Sequence, residues 1–143
     1  MTYLYIKLLN DQDHDFNNHY ISYSITGITD SVDIIIRHDQ ELPFGFVHIP
    51  MIECYMTDNF NRLIPYYIYP KEDIYNYPFS MVNNLKIVDV NHRGMLRVLF
   101  KCSEDGYVIK KYLKICQIRA PDLLPFTVKI YNNDGINNII NTY

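Results

Sequence analysis

The sequence of 143 residues contains no tryptophan and only three cysteines. Cys54, Cys102 and Cys116 are odd in number, lie far apart and show no Cys-x-x-Cys spacing. That pattern argues against both a disulfide framework and a zinc knuckle. We therefore expect reduced, mostly buried thiols in an intracellular protein.

The chain also lacks a strong excess of one charge and lacks long apolar runs. Thirteen Lys and Arg residues against 16 Asp and Glu residues give a net charge of -3, which offers no general electrostatic attraction for nucleic acid or an anionic membrane. No apolar run approaches the length needed to cross a bilayer. The sequence therefore predicts a soluble, intracellular protein whose main partner is neither nucleic acid nor a membrane.

No stretch shows a sustained helical period, and strand signals dominate instead. Short runs rich in β-branched and aromatic residues alternate with turn signals; they read YLYIKLL, HYISYSITGI, VDIIIR, GFVHIPMIECYM, LIPYYIYP, LKIVDV, GMLRVLFKC, GYVIKKYLKICQI and FTVKIY. The polar segment Asp11–His19 is expected to be a loop or a single short helical turn. Without repeats or linkers, the pattern predicts one all-β domain, either a sandwich or a jelly roll.

The common catalytic signatures are missing as well. The sequence has no Gly-rich phosphate loop, no Gly-x-Ser-x-Gly elbow and no Cys-His signature. The histidines lack the close pairing with acids or cysteines that a metal site needs, so we interpret each as a surface or turn residue; they are His14, His19, His38, His48 and His92. DQDHD has neither the length nor the glycine of an EF-hand loop and is interpreted as a solvated loop.

Two segments nevertheless resemble the dUTPase family, in the form carried by large DNA viruses. They are YYIYPKEDIYNYPFSMVNNLKIVDVNHRGMLRVLFKC and GYVIKKYLKICQIRAPDLLPF. The family shows, in order, a strand ending in Pro-Arg-Ser, an Asn-led hairpin into Gly-x-Ile-Asp-x-x-Tyr-Arg-Gly, and Gly-Asp-Arg-x-x-Gln, followed in the viral type by Ala-Pro-Asp-x-x-Pro-Phe. Order, spacing and framework residues recur from about Asp30 to Phe126, and several motifs in fixed order are more specific than any one alone.

The resemblance implies a fold, an assembly and a reaction. The fold would be a dUTPase-like jelly roll, a barrel of the β-clip type, spanning residues 1–131, with 132–143 as a mobile tail. The assembly would be a homotrimer with sites at subunit interfaces, where magnesium-bound dUTP is split to dUMP and pyrophosphate.

Four positions keep a residue to which the resemblance gives a role. Asp89 falls on the general base that activates water, although an Asp that caps the turn after it explains the position equally well. Asn83 falls on the uracil-binding asparagine and is also explained as a turn residue. Gln117 falls near the phosphates or is simply a strand glutamine facing water. Asp33 would hold a metal-bound water.

The departures fall mostly on the phosphate side. The tyrosine under the deoxyribose becomes His92, and a glycine close to the base becomes Lys86. Pro-Arg-Ser becomes Pro70-Lys71-Glu72, which replaces a bidentate arginine by Lys71 and introduces an anion. Gly-Asp-Arg becomes Tyr112-Leu113-Lys114, which leaves Lys114 as the only cation there. The terminal glycine-rich motif, which supplies a phosphate cradle and an aromatic lid, has no counterpart.

We therefore expect a degenerate dUTPase-like protein, a pseudoenzyme with a structural, regulatory or interaction role and no cofactor. One alternative is an active, divergent dUTPase that uses Mg²⁺, in which Lys71, Lys114 or a residue of another chain replaces the missing arginines. The other is a binder of uracil nucleotides without turnover. The expected partners are two further copies or a larger protein assembly, in a virion or an infected host cell.

Overall fold

The structure is a computed structural model that describes residues 1–8, 13–131 and the backbone of 139–140. These residues form one α-helix, α1 (His14–Thr26), one 3-10 helix (Glu72–Asn76) and fifteen strands. The strands are β1 (Tyr3–Lys7), β2 (Ile28–Thr29), β3 (Val32–Ile35), β4 (Gln40–Leu42), β5 (Gly45–Pro50), β6 (Glu53–Thr57), β7 (Leu63–Ile64), β8 (Tyr66–Pro70), β9 (Phe79–Met81), β10 (Lys86–Val88), β11 (Arg97–Cys102), β12 (Tyr107–Ile109), β13 (Lys114–Arg119), β14 (Phe126–Tyr131) and β15 (Ile139–Ile140).

The strands form four sheets. A six-stranded sheet has the order β15-β14-β1-β6-β7, with β2 also paired to β14, and brings β1 parallel to β14 near the two ends of the chain. The other sheets have the orders β10-β8-β13-β3, β5-β11-β9 and β12-β4. Within the described residues none of the sheets closes into a barrel. The expected all-β class is confirmed, including the strand over Phe126–Tyr131.

The core forms in part because β1, β9, β11 and β14 bury every second side chain. β14 alternates buried and half-buried residues along its whole length, and β11 buries Val98, Phe100 and Cys102. Burying one such apolar side chain contributes roughly 1.5–3 kcal/mol. The fully buried set includes Leu4, Ile6, Ile34, Ile49, Ile68, Phe100 and Phe126. The three cysteines are free thiols and buried, as expected.

The strand expected over HYISYSITGI is wrong, because residues 19–26 of this segment belong to helix α1 and only Ile28 lies in a strand. Asp13 caps the helix by accepting a hydrogen bond from the Phe16 backbone N–H at 2.7 Å. The other carboxylate oxygen of Asp13 accepts from Lys111 Nζ, which ties the start of the helix to the turn before β13. Gly27 ends the helix with a φ of 90°, a conformation that favours glycine. The loop or single turn expected over Asp11–His19 is, in its described part, the cap and first turns of a 13-residue helix.

Helix α1 completes the edge of the second sheet. β3 is the last strand of β10-β8-β13-β3, so no other strand of the described ranges lies beside its outer backbone groups. The hydroxyl of the fully buried Tyr20 accepts from the Ile35 N–H at 3.1 Å, and the Tyr23 hydroxyl accepts from the Asp33 N–H at 3.0 Å. Side chains of α1 thus take the place of a neighbouring strand.

The predicted tail, 132–143, lies outside the described residues except for the two-residue strand β15, which pairs with β14. Across the described ranges, no helix has both the length and the apolar character needed to cross a membrane.

Candidate functional site

The strands that carry most of the predicted site residues lie in the sheet β10-β8-β13-β3. Asp33 lies on β3, and Gln117 lies opposite it on β13. Lys114 begins β13, Lys71 follows β8, and Asp89 follows β10. Strand order, rather than proximity in sequence, therefore gathers these residues into one sheet.

Asp33 is the centre of the phosphate-side residues. Its Oδ1 lies 2.9 Å from Lys71 Nζ and its Oδ2 lies 3.9 Å from Lys114 Nζ. The Asp33 and Lys71 side chains are only 16% and 26% exposed, so this ion pair is partly shielded from water. The hydrogen bond that Lys71 donates to Asp33 raises the pKa of Lys71, which keeps the lysine charged. Both lysines that the resemblance assigns to the phosphates are thus close to a carboxylate of their own chain.

A cleft of about 470 Å³ opens beside this ion pair. Its lining combines two cations with two anions and two uncharged polar residues, namely Lys71, Arg119, Glu72, Asp73, Ser31 and Gln117. Glu72 and Asp73 are exposed in the 3-10 helix directly after Lys71. A polyanion would meet no net positive charge in this lining.

Helix α1 supplies two residues behind Asp33 that the sequence did not identify. His19 Nε2 lies 2.7 Å from the Asp33 backbone oxygen and must carry a proton, because a carbonyl only accepts. Burial lowers the pKa of His19, and the charge of Lys114 acts in the same direction, whereas the hydrogen bond to Asp33 opposes them. His19 thus lies in a helix rather than a turn and is half-buried. The second residue is Tyr23, whose hydroxyl accepts a hydrogen bond from the Asp33 N–H.

Asp89 closes the turn after β10. Its Oδ1 accepts a long hydrogen bond from the Asn91 N–H at 3.4 Å, and its backbone oxygen accepts from the His92 N–H at 3.0 Å. The carboxylate is otherwise exposed. The structure therefore shows the turn-capping geometry, and the role of general base stays a prediction.

His92 is half-buried, and its ring points into the protein. Its Nε2 is shielded from solvent and has no hydrogen-bond partner among the described residues. The ring lines a cleft of about 290 Å³, together with Glu53, Cys54, Tyr55, Leu63, Arg93, Gly94 and Tyr131. It also lines a smaller cavity that Asp89 shares. The ring therefore faces the β6–β7 region of its own chain.

Asn83 and Lys86 lie at the start of the β10 segment. Asn83 is exposed in the bend before β10. Lys86 is half-buried and pairs with Ile68 of β8. Since Val88 at the other end of β10 pairs with Tyr66, Asn83 and Asp89 lie beyond opposite ends of this strand.

The predicted base and the phosphate-side cluster lie at opposite ends of β8. Tyr66 pairs with Val88, which precedes Asp89, whereas Pro70 precedes Lys71. Four residue steps separate Tyr66 from Pro70, or about 13 Å at roughly 3.3 Å per residue. Asp89 and Lys71 lie beyond these two ends, so one chain does not bring them together.

The metal role expected for Asp33 does not fit its surroundings. Lys71 Nζ already occupies the Oδ1 side, and a second cation, Lys114, lies near Oδ2. No group of three or more His, Cys, Asp or Glu side chains within the described ranges could hold a metal ion. A magnesium ion bound by Asp33 would therefore have to compete with Lys71 and Lys114 for the carboxylate.

The structure thus brings together Asp33, Lys71, Lys114 and Gln117, and separately Asp89 and His92. His19 and Arg119 belong to the first group, and their contacts depend on a helix and a strand order that sequence motifs do not reveal. A scan against protein-family models and a search of curated proteins found no match for this chain.

Proposed function

We propose that this chain is a dUTPase-like protein of the jelly-roll type that does not hydrolyse dUTP and serves as a structural, regulatory or interaction module. The observation that carries the proposal is the ion pair between Lys71 Nζ and Asp33 Oδ1 at 2.9 Å. It neutralises, within the chain, the cation that the resemblance assigns to the substrate phosphates.

The charges around this ion pair also support the proposal that the chain does not hydrolyse dUTP. A triphosphate approaching Lys71 would compete with Asp33 and would meet the carboxylate of Glu72. Two like unit charges about 4 Å apart repel by about 4 kcal/mol at an effective dielectric near 20, and solvent lowers this value for an exposed side chain such as Glu72. Even half of that penalty weakens binding by about thirtyfold.

The position of Asp89 bears on the assembly. A general base must lie within hydrogen-bond reach of the water that it activates. Asp89 instead lies beyond the opposite end of β8 from Lys71, and its side chain caps a turn. Only a second copy could bring an Asp89 to this cluster. The proposed assembly is accordingly a homotrimer, or a larger complex in which this chain is one component.

Pyrophosphate release from dUTP in the presence of magnesium tests the proposal. Wild-type protein and Asp89→Asn should give the same rate, equal to that of buffer, because neither builds a competent site. Asp89→Asn is a matched control, since it keeps the size of the side chain and an oxygen that accepts from Asn91.

Calorimetry separates the two alternatives. A nucleotide binder without turnover should bind dUMP while releasing no pyrophosphate, and Asn83→Ala should weaken that binding. An active divergent enzyme should release pyrophosphate and lose that activity in Asp89→Asn. We expect neither result.

A further inference from the structure

The outer face of the sheet β5-β11-β9 combines an exposed aromatic ring with cations. Phe46 on β5 is 64% exposed, and the strand register places Lys101 of β11 opposite it. Lys101 Nζ lies 5.6 Å from the centroid of the Phe46 ring. Ser80 of β9 lies on the other side of Lys101, and the exposed Arg97 lies at the far end of β11. The row therefore crosses all three strands.

A second aromatic group flanks the same lysine. Lys101 lines a cleft of about 230 Å³ together with Tyr75, Tyr77, Pro78, Phe79, Ser80 and Ser103. Tyr75 is 84% exposed. Aromatic rings are thus available on both sides of Lys101.

This face carries no carboxylate at its outward register positions, although the whole chain has a net charge of -3. Those positions are Phe46, His48, Pro50, Ser80, Arg97, Leu99 and Lys101. Neither Arg97 nor Lys101 forms an ion pair with any carboxylate in the described part of the chain. The nearest acids along β11 are Glu104 and Asp105, in the turn that follows it. The part of the face formed by β5, β11 and β9 is therefore positive, whereas Tyr75 shares its 3-10 helix with the exposed Glu72 and Asp73.

We propose that this aromatic–cationic face, defined as Phe46, Tyr75, Arg97 and Lys101, binds single-stranded nucleic acid. Unpaired bases stack on exposed aromatic rings, and the phosphates between them contact lysine and arginine; this combination binds single strands with little sequence preference. A duplex hides the faces of its bases and can use only the cations. The inference is independent of dUTP chemistry and concerns a face outside the Asp33 and Asp89 clusters.

Phe60 provides a matched comparison within the same chain. It is 72% exposed, and Arg62 Cζ lies 5.1 Å from its ring centroid. Arg62, however, pairs with Asp58 at 2.9 Å, which neutralises the cation. An aromatic ring beside a paired cation lacks the phosphate contact, so Phe60→Ala is the control for Phe46→Ala.

Fluorescence anisotropy with labelled 20-mers of dT and U, a 20-bp DNA duplex and 20-residue polyglutamate tests the proposal on the full chain. Phe46→Ala should weaken binding of both single strands by about fivefold or more, and Phe60→Ala should leave it unchanged. If Lys101 and Arg97 each contact one phosphate, a plot of the logarithm of the binding constant against the logarithm of the salt concentration should have a slope of about -1.4. In Lys101→Gln, which keeps one of the two contacts, that slope should be halved. Equal affinity for dT and U is expected, because stacking does not need the 2′-hydroxyl.

Three results would overturn the proposal: no single-strand binding at low salt, equal losses in Phe46→Ala and Phe60→Ala, or polyglutamate binding as tightly as dT. The last would identify the face as an acidic-peptide site that uses its cations alone. Circular dichroism of each variant shows whether it folds, and Lys101→Gln provides an independent test if Phe46→Ala is unstable.

Discussion

Removing the Tyr20 hydroxyl should destabilise the protein more than removing the Tyr23 hydroxyl. Both hydroxyls accept from N–H groups of the edge strand β3, at 3.1 Å for Ile35 and 3.0 Å for Asp33. Tyr20 is fully buried, and burial raises the pKa of its hydroxyl, which therefore stays protonated at every working pH. Tyr23 is only half-buried.

The expected magnitudes follow from what replaces each hydroxyl. In Tyr20→Phe no water reaches the Ile35 N–H, and a buried donor without an acceptor costs about 1–3 kcal/mol. In Tyr23→Phe water can reach the Asp33 N–H, so the cost should be about 0.5–1 kcal/mol. Tyr75→Phe, at an 84% exposed position, should change nothing.

Urea unfolding followed by circular dichroism measures these differences, provided that the slope with urea concentration stays constant among variants. Amide hydrogen exchange adds a local readout, because the Ile35 amide should lose protection in Tyr20→Phe before the core does. A Tyr20→Phe variant no less stable than Tyr23→Phe would refute the view that α1 substitutes for a strand at this edge.

Three further predictions concern single side chains. Burial lowers the pKa of His19 below its unfolded value of 6.5, so the stability contributed by His19 is fully present above pH 6.5 and is lost as pH falls through the folded pKa. Between pH 7.5 and 5.5 the urea midpoint of the wild type should therefore fall more than that of His19→Gln, and equal falls would contradict this. Burial raises the pKa of Cys54 to about 12 and also raises the pKa of Cys116. A disulfide reagent at pH 8 should therefore modify neither thiol until urea unfolds the chain, whereas rapid reaction of the native protein would show that the thiols are accessible. Asp89→Ala should lower the free energy of unfolding by no more than about 1 kcal/mol, because the hydrogen bond from the Asn91 N–H is long and exposed. A decrease above about 2 kcal/mol in urea unfolding would mean that the carboxylate has a larger structural role.

Sequence pattern was sufficient for most strands and insufficient for the helix. The alternation in FTVKIY predicts β14 because one face of that strand is buried. The segment over His14–Thr26 contains two isoleucines, two tyrosines, one phenylalanine and one threonine, residue types that favour strands in isolation. It is helical because Asp13 caps it and because Tyr20 and Tyr23 reach the edge of β3, and both contacts depend on the tertiary fold.

The candidate site was likewise predictable from the sequence only in part. The resemblance assigned Asp33, Lys71 and Lys114 to the phosphate side of one site, and in the structure the two lysines lie near the Asp33 carboxylate; their role stays a prediction. The ion pair between Lys71 and Asp33 was not predicted, because it depends on the order β8-β13-β3 within the sheet. The burial of His92 Nε2 could not be predicted from the sequence either, because the motif does not show the orientation of the ring.

The rate of pyrophosphate release from dUTP by purified full-length protein with magnesium tests the central claim most directly. Because Lys71 is paired with Asp33 of its own chain, the rate should equal the buffer blank and should be the same in Asp89→Asn. Turnover above about 1 per second, an ordinary enzymatic rate, that disappears in Asp89→Asn would contradict the claim and identify an active dUTPase.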